Sequence, residues 1–364
     1  MVRSFQALRN AEPGFRAPEE VLTYRVSIPS AEEEDPVVVA QIQEEMLRAI
    51  QGIPGVASAA FSSSVTMDGW DSNDAVEVEE FPVEGEGLPP IRRFKWVSDG
   101  YHATMGNPLR AGRAITWADI HDRALVVMVT EDFALEYWDS PAQAVGKRIR
   151  NFGGPFGESA WREIVGVVGD IRDDGMAQDP VSTIFWPQVT TNFWGEELRV
   201  QRSIALAVRA RGSNPMDLLR PARETVWAQN PNLPLARIRT LEEIVTESMA
   251  RTSFALIMLG IAAGVALFLG AVGIYGVISY VVSQRTREIG VRMAMGAERA
   301  DVTRMVLRQA GALAAGGVVI GLLAAAGLTR LMSALLYGVD PMDPLTFGAV
   351  AVGLSVIALV ASWI

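Results

Sequence analysis

The chain has 364 residues, of which 42 are Asp or Glu and 32 are Lys or Arg, so its formal net charge at pH 7 is −10. This acidic balance argues against a nucleic-acid partner, because binding phosphates requires clustered basic residues. The chain contains no cysteine, which excludes disulfides, thiolate metal sites and cysteine nucleophiles.

The charge is unevenly distributed along the chain. Residues 251–364 hold eight Arg and five acidic residues, a net charge of +3, so residues 1–250 carry −13. We therefore expect a large acidic N-terminal part joined to a small cationic part. The first 15 residues contain no apolar run as long as a signal peptide requires.

A β-α-β unit is predicted near the start of the acidic part. Leu22, Tyr24, Val26 and Ile28 alternate with other residues, as in a half-buried strand. Asp35-Pro36 then supplies an N-cap and a first-turn proline for a helix that ends at Gly52. Residues 56–61 are predicted to form the second strand.

A similar unit is predicted near residue 250. A strand at 204–210 precedes a helix that begins at Asn214-Pro215, and a second strand follows at 236–238. The endings GIPGVASA and NPNLPLAR occupy equivalent places in the two units, which indicates a weak repeat of two small α+β lobes. Between the lobes we expect a β-rich insert, with strands near 91–97, 125–129 and 164–168.

Candidate chemical sites in the acidic part have more ordinary interpretations. His102 and His121 lack ligand partners at metal-binding spacing, so we expect surface or packing roles for both. Residues 62–64 are three serines without the glycines of a nucleophile elbow, and we interpret them as a polar loop. Acidic residues at 32–35 and 77–80 are interpreted as solvated charge. No Walker A sequence is present. We predict no catalytic, metal or cofactor site and no enzyme activity.

The last third of the chain contains three long uncharged segments. They predict membrane spans at about 255–283, 309–330 and 345–364, because each is long enough to cross a bilayer core of about 30 Å. Thr240-Leu-Glu-Glu243 fits a capping box that opens a helix leading into the first span. No charged residue lies in the middle of a span, so the spans show no proton or ion path.

The loop between the first two predicted spans sets the expected orientation. It carries six Arg, whereas the next loop carries one Arg and two Asp. By the positive-inside rule the first loop is cytoplasmic and residues 1–250 lie outside the cytoplasm. We therefore expect a multi-pass protein of the plasma (inner) membrane in contact with lipid.

The basic loop itself, residues 284–308, reads QRTREIGVRMAMGAERADVTRMVLR. Residues 287–295 favour a helix in which Glu288 and Arg292 form an i, i+4 pair, and Gly296 ends that helix. On physical grounds alone, an ordinary basic juxtamembrane loop is an equally good interpretation.

The segment SQRTREIGVRMAMGAERADVTRMVLRQ resembles the cytoplasmic segment of the FtsX-like (MacB-type) ABC transporter permeases. LLYGVDPMDPLTF resembles the outer turn before the last helix of that family, and GNPLRAGRAIT, AVGKRIR and REIVGVVGDIRDDG resemble its periplasmic core domain. The sequence is most similar to the internally duplicated permeases of acidobacteria and their relatives. The resemblance implies a MacB-like periplasmic core domain at 21–250 and an FtsX-like permease C-terminal domain at 251–364.

The resemblance also implies a function and partners. A permease of this type passes ATP-driven motion of a separate ATP-binding subunit to the outer domain, and Arg287, Glu288, Gly290, Arg292 and Gly296 would form the coupling contact. A second permease half or a second copy is implied, and a periplasmic adaptor is a further partner. The alternatives are a regulator of a cell-wall hydrolase and a nonfunctional truncated permease.

The family unit has four membrane helices, one before the outer domain and three after it. The present chain lacks the first of these and also the basic tail expected after the last. We therefore expect a C-terminal fragment, in which residues 1–20 are a juxtamembrane remnant of the preceding helix.

Overall fold

The computed structural model describes residues 12–69, 72–83, 87–153, 159–191, 193, 197–212 and 214–284, together with residues 291, 317, 321 and 348. The chain divides into two compact units, one of Glu12–Met249 and the other of Met1–Ala11 with Ala250–Ile364. Among the residues described, no helix meets the length and hydropathy that a membrane span requires. The second and third predicted spans lie outside the described residues, apart from single positions.

The unit Glu12–Met249 has an α+β fold. Its strands are β1 Val21–Ser27, β2 Val56–Ser62, β3 Ser72–Val78, β4 Ile91–Val97, β5 Leu109–Gly112, β6 Val126–Thr130, β7 Arg148–Asn151, β8 Arg162–Val168, β9 Thr183–Pro187, β10 Val189–Thr191, β11 Leu198–Val200, β12 Ser203–Ala210 and β13 Ala236–Thr240. The helices are α1 Pro36–Gln51, α2 Tyr101–Met105, α3 Trp117–His121, α4 Glu131–Tyr137, α5 Pro141–Ala144, α6 Leu219–Gln229 and α7 Leu241–Gln284, of which α7 continues beyond this unit.

The first predicted unit, β1-α1-β2, is confirmed in its elements. Asp35 caps α1 by accepting a hydrogen bond from the backbone N–H of Val37 (2.8 Å), and the helix ends before Gly52 as predicted. The prediction that β1 is half-buried is wrong. Six of its seven residues are buried, because Thr23 bonds the backbone of β13 and Arg25 pairs with buried Asp68 on the face opposite the α1 core.

The predicted division into two lobes is also wrong, because the two units interleave in one sheet. The strand order is β13-β1-β12-β2, with each neighbouring pair antiparallel. Strand β12 fills the gap between β1 and β2, and β1 fills the gap between β12 and β13, which is the split β-α-β arrangement of ferredoxin-like folds. Helices α1 and α6 pack on the same core of this sheet.

The predicted β-rich insert forms a closed ring of strands. The ring order is β4-β3-β7-β8-β6-β9, and β9 also pairs with β4, while β5 pairs with β8 on the outside of this order. The predicted strands near 91–97, 125–129 and 164–168 are confirmed as β4, β6 and β8. Strands β3 and β7 escaped prediction, and they carry cross-strand ion pairs of Glu77 with Arg150 and Glu79 with Arg148. These acids are thus paired, and not merely solvated as expected.

An aromatic core fills one side of the ring. The Trp186 ring lies 4.9 Å from that of Phe94 and 4.8 Å from that of Phe193, at the tilted angles that aromatic pairs favour. The Arg162 guanidinium lies over both Trp186 and Phe193. Burial of this guanidinium lowers the pKa of Arg162 to about 10. Since cation–π contacts favour the charged form, the aromatic rings partly offset this desolvation.

Candidate functional site

The five residues predicted to contact an ATP-binding subunit, Arg287, Glu288, Gly290, Arg292 and Gly296, lie outside the described residues. Within their segment the structure describes Val291, which is helical and exposed. The coupling contact therefore stays a prediction. The described residues do show how the first turns of α7 are held by the unit Glu12–Met249, here called the outer unit because its residues are predicted to lie outside the cytoplasm.

The start of α7 is capped as predicted, and two of its first residues are buried. Thr240 Oγ1 accepts a hydrogen bond from the backbone N–H of Glu243 (3.1 Å), and a Glu243 carboxylate oxygen accepts one from the N–H of Thr240 (3.0 Å). This reciprocal pair is a capping box. Leu241 and Ile244 are buried and belong to the same apolar cluster as Phe15. The first turns of α7 are thus fixed to the core of the outer unit.

Residues 12–17, here called the strap, lie beside this cluster. The backbone N–H of Arg172 donates to the carbonyl of Pro13 (3.1 Å), that of Arg16 donates to the carbonyl of Met105 (3.1 Å), and Asn107 Nδ2 donates to the carbonyl of Gly14. Gly14 has a φ of +89°, and a Cβ there would lie 2.0 Å from the carbonyl oxygen of Asp170. The strap can approach the loop that contains Asp170 so closely because residue 14 is glycine.

A buried charge cluster holds the loop that follows β8. Asp173 accepts from Lys95 Nζ (2.5 Å) and from Arg93 Nη1 (2.8 Å), and Arg93 Nη2 also donates to Asp174 (2.8 Å). The side chains of Asp173 and Lys95 are 2% and 1% exposed, so water cannot solvate either charge if its partner is removed. Burial opposes the charge of Lys95, but the attraction of Asp173 outweighs it and raises the pKa of the ammonium. The cluster ties the loop to β4 of the ring.

A second carboxylate of the same loop, Asp170, lies near its start and contacts Asp132 of α4. Asp170 Oδ1 accepts from the backbone N–H of Asp132 (2.7 Å), and Asp132 accepts from Ser182 Oγ (2.7 Å). Burial, together with the negative charge of Asp132, raises the pKa of Asp170 to about 6. Asp170 lines a cavity of about 550 Å³ that the strap also lines.

The raised pKa of Asp170 predicts that stability falls as pH rises from about 4 to about 6. In this window the folded chain holds a proton on Asp170 that the unfolded chain has released, so the free energy of unfolding decreases with pH. Asp170→Asn keeps the Oδ1 acceptor and removes the titration. We expect the variant to lose this decrease and to exceed the wild type in melting temperature above pH 6. Thermal unfolding between pH 4 and 7.5 measures it, with exposed Asp139→Asn as control; equal pH profiles would contradict the prediction.

The second concave feature is a cleft between α1 and α3, here called the α1–α3 cleft. It has a volume of about 400 Å³, and β10 and β11 contribute its remaining wall. Across the cleft, His121 Nε2 hydrogen-bonds a carboxylate oxygen of Glu44 (2.9 Å), whose other oxygen accepts from Arg48. The Trp117 ring stacks on His121 with 5.8 Å between centroids. His121 therefore has a specific partner that its sequence neighbours do not reveal.

The other residues considered from the sequence have structural roles. His102 is buried with its ring 4.5 Å from that of Phe185, and burial lowers its pKa to about 4, so its predicted packing role is confirmed. The serines at 62–64 are buried, which contradicts the polar-loop interpretation. Ser63 Oγ accepts from the backbone N–H of Trp96 (3.2 Å), so these serines join β2 to β4. Within the described part of the chain no cluster of three or more potential metal ligands occurs.

Two protein families match the chain. The MacB-like periplasmic core domain matches residues 8–222, and the FtsX-like permease C-terminal domain matches residues 260–364. The first match covers more than half of the chain. Its range includes the strap, the ring of strands and the split β-α-β sheet except for β13 and most of α6.

The chain is similar to proteins named as ABC transporter permeases. The uncharacterized ABC transporter permease YvrN of Bacillus subtilis is 26% identical over 66% of this chain and 58% of its own length. YknZ of the same organism, also an uncharacterized ABC transporter permease, is 23% identical over 80% of this chain and 67% of its own length. The macrolide export ATP-binding/permease protein MacB of Nitrobacter winogradskyi is 40% identical, over 27% of this chain and 16% of its own length. The chain thus spans only part of the length of these relatives.

Similar solved structures are outer regions of such proteins. One is the periplasmic region of MacB from Actinobacillus actinomycetemcomitans. The match covers 66% of this chain and 95% of that structure, with 13% identity and a TM-score of 0.40. The extracellular domain of YknZ covers 58% of this chain and 94% of that structure, with 15% identity and a TM-score of 0.35.

Proposed function

The chain belongs to the ABC transporter permeases with a MacB-like periplasmic core domain and an FtsX-like permease C-terminal domain, and we propose that it is a mechanotransmission subunit driven by a separate ATP-binding subunit. The observation that supports this proposal is the order of the two matches, a MacB-like periplasmic core domain followed by an FtsX-like permease C-terminal domain in one chain. On this proposal residues 1–250 are extracytoplasmic and residues 251–364 form a three-helix part in the plasma (inner) membrane.

The anchoring of α7 supports a mechanical role for the outer unit. Leu241 and Ile244 are 0% and 1% exposed, so a displacement of the first turns of α7 must displace the core around them. Phe15 of the strap packs in that core, and so does Ile171 of the loop whose Asp173 binds Lys95. Motion of α7 would therefore reach the ring of strands through closely packed and charge-paired residues.

Stimulated ATP hydrolysis tests the proposal. The full chain is reconstituted in lipid nanodiscs with its ATP-binding subunit, and the second permease half where one is required. We expect ATP hydrolysis to exceed that of the ATP-binding subunit alone by about tenfold, which corresponds to an activation barrier lowered by about 1.4 kcal/mol. No stimulation, with stable association of the subunits, would overturn the transporter role.

Capture of outer partners separates the proposed exporter from its alternative. Full-length tagged chain is cross-linked in intact cells and its extracytoplasmic partners are identified. An adaptor or outer-membrane duct supports the exporter, whereas a cell-wall hydrolase whose activity depends on the chain supports a regulator.

Thr240→Pro, which disrupts the capping box at the start of α7, should uncouple either partner's activity from ATP hydrolysis.

A further inference from the structure

The strap is held at two separate places, one for each half. Its second half is bound by Arg209 of β12, whose guanidinium donates to the carbonyls of Arg16 (2.7 Å) and Ala17 (3.3 Å). The same guanidinium donates to the carboxylate of Glu20 (2.9 Å). A guanidinium stays charged at any pH near neutrality, and a backbone carbonyl does not titrate. These contacts, here called the Arg209 clamp, therefore do not depend on pH in that range.

The first half of the strap rests on the loop after β8. The backbone N–H of Arg172 donates to the carbonyl of Pro13 (3.1 Å). Gly14 packs directly on the backbone of Asp170, because a Cβ on residue 14 would lie 2.0 Å from the Asp170 carbonyl oxygen. A further bond to the carbonyl of Gly14 comes from Asn107 Nδ2. A shift of the loop at Asp170 therefore disturbs the contacts of Pro13 and Gly14 first.

The supporting loop is fixed at both ends. At its start the backbone N–H of Gly169 donates to the carbonyl of Pro108 (2.9 Å). At its end Asp173 is held in the buried charge cluster. Between these two points the side chain of Asp170 joins the loop to α4. The position of this middle part thus depends on how Asp170 interacts with α4.

Asp170 and Asp132 form a carboxyl pair whose interaction depends on protonation. Asp170 Oδ1 accepts from the backbone N–H of Asp132 (2.7 Å), and the two side chains also lie in hydrogen-bonding contact. Two carboxyls in such contact are joined by a shared proton and repel each other when both are ionised. Burial of Asp170, with the negative charge of Asp132, raises the pKa of the Asp170 carboxyl to about 6, in agreement with this geometry.

The surroundings supply no excess of positive charge to relieve that repulsion. The charged groups that face Asp170 are Glu131 and Asp132 of α4, Arg110 of β5, Glu12 and Arg16 of the strap, and Arg172 of the loop itself. Arg110 donates to Glu131 (2.9 Å). Arg172 Nη1 donates to the carbonyl of Gln178. Three bases and three acids line the cavity at this point, so their charges balance.

We propose that the Asp170–Asp132 pair is a pH-sensitive latch, which holds the first half of the strap on the loop while the two carboxyls share a proton and releases it when both are ionised. The Arg209 clamp keeps the second half in place. Gly14 is the residue at which the two halves can separate, since glycine tolerates a wide range of backbone angles. This proposal goes beyond the permease function. Its test uses no ATP and no partner subunit, so either can fail while the other stands.

Distances between spin labels, measured by pulsed electron paramagnetic resonance, test the latch. The chain contains no cysteine, so nitroxides attach only at introduced cysteines. Glu12→Cys on the strap is combined with Gln143→Cys, an exposed position on α5. The doubly labelled full chain is measured in lipid nanodiscs at pH 5 and pH 7.5. We expect the ratio of released to attached chains to rise about tenfold at the higher pH, because the Asp170 carboxyl returns to its ordinary pKa of 3.8 on release.

A second label pair separates the latch from a general loosening of the strap. Glu19→Cys, combined with the same Gln143→Cys, places the label at an exposed position beyond the first half of the strap and close to the Arg209 clamp. Its distances should be the same at both pH values. If they change as much as those from residue 12, the whole strap moves and the latch is overturned. Distances from residue 12 that do not change with pH would overturn it as well.

Two substitutions identify the carboxyls responsible. Asp170→Asn keeps the acceptor for the Asp132 N–H and offers a donor to the Asp132 carboxylate, so it imitates the protonated pair. We expect the strap to stay attached at pH 7.5 in this variant. Asp132→Asn removes the repulsion from the other side and should give the same result. A rise in release with pH that equals the wild-type rise in both variants would overturn the proposal.

Discussion

Replacing Arg287 and Arg292 together by glutamate is expected to reduce stimulated ATP hydrolysis to the level of the isolated ATP-binding subunit. The double substitution changes the charge of the proposed coupling segment by −4, and it places Glu288 and a new acid at an i, i+4 spacing. Like charges facing each other across an interface cost several kcal/mol, which corresponds to at least about a 100-fold loss of docking affinity. Measurement of ATP hydrolysis in the reconstituted complex checks this result.

The chain offers a control with the same change in charge. Of the eight Arg in residues 251–364, six lie between the first two predicted spans, and the other two are Arg251 and Arg330. The double variant Arg251→Glu, Arg330→Glu should therefore retain stimulation if the effect depends on the coupling segment. Equal losses in the two double variants would show that net charge matters and not the segment. Unchanged stimulation in the Arg287, Arg292 variant would remove the coupling assignment.

Local signals predicted the elements of the split β-α-β sheet. Asp35-Pro36 and Gly52 mark the two ends of α1, and the capping box at Thr240 marks the start of α7, because caps depend on residues within one turn. Such local signals do not predict the order of the strands in the sheet. The interleaving of β12 between β1 and β2 depends on pairing between residues that are 143 to 188 positions apart. Two equivalent units that follow each other in the sequence suggest two separate lobes instead.

The charged core escaped prediction for a related reason. Lys95 lies in β4 among Arg92, Arg93 and Phe94, and a lysine in an alternating strand is ordinarily solvent-exposed. Its burial depends on Asp173, which comes 78 residues later and reaches it only because β4 and β8 belong to the same ring of strands. In the sequence, residues 170–174 belong to a segment with a family resemblance, and nothing local indicates that Asp173 pairs with a buried lysine. The coupling segment stays a sequence-based prediction.

Removal of the Asp173 carboxylate is expected to have the largest effect on the stability of the outer unit. In Asp173→Ala, Lys95 keeps a distant bond to Thr66 Oγ1 (3.4 Å) and loses its carboxylate within the core. Breaking a buried ion pair from one side costs about 3–5 kcal/mol, because the remaining charge stays desolvated. We expect a decrease of that size in the free energy of unfolding, measured by urea denaturation of the full chain with tryptophan fluorescence.

Two further variants, Asp174→Ala and the double variant Asp173→Ala, Lys95→Met, distinguish the cost of a buried unpaired ammonium from a general loss of contacts. Asp174 also binds Arg93 but is 41% exposed, so Asp174→Ala should cost no more than about 1 kcal/mol. Adding Lys95→Met to Asp173→Ala removes the unpaired ammonium and replaces it with an apolar side chain of similar length, which should restore most of the lost stability. If the double variant is as unstable as Asp173→Ala, the cost comes from the lost loop contacts and not from a buried charge. If it recovers, then β4 and the loop after β8 are joined by charge pairing, and the rescued chain allows a direct test of whether that pairing transmits the motion of α7.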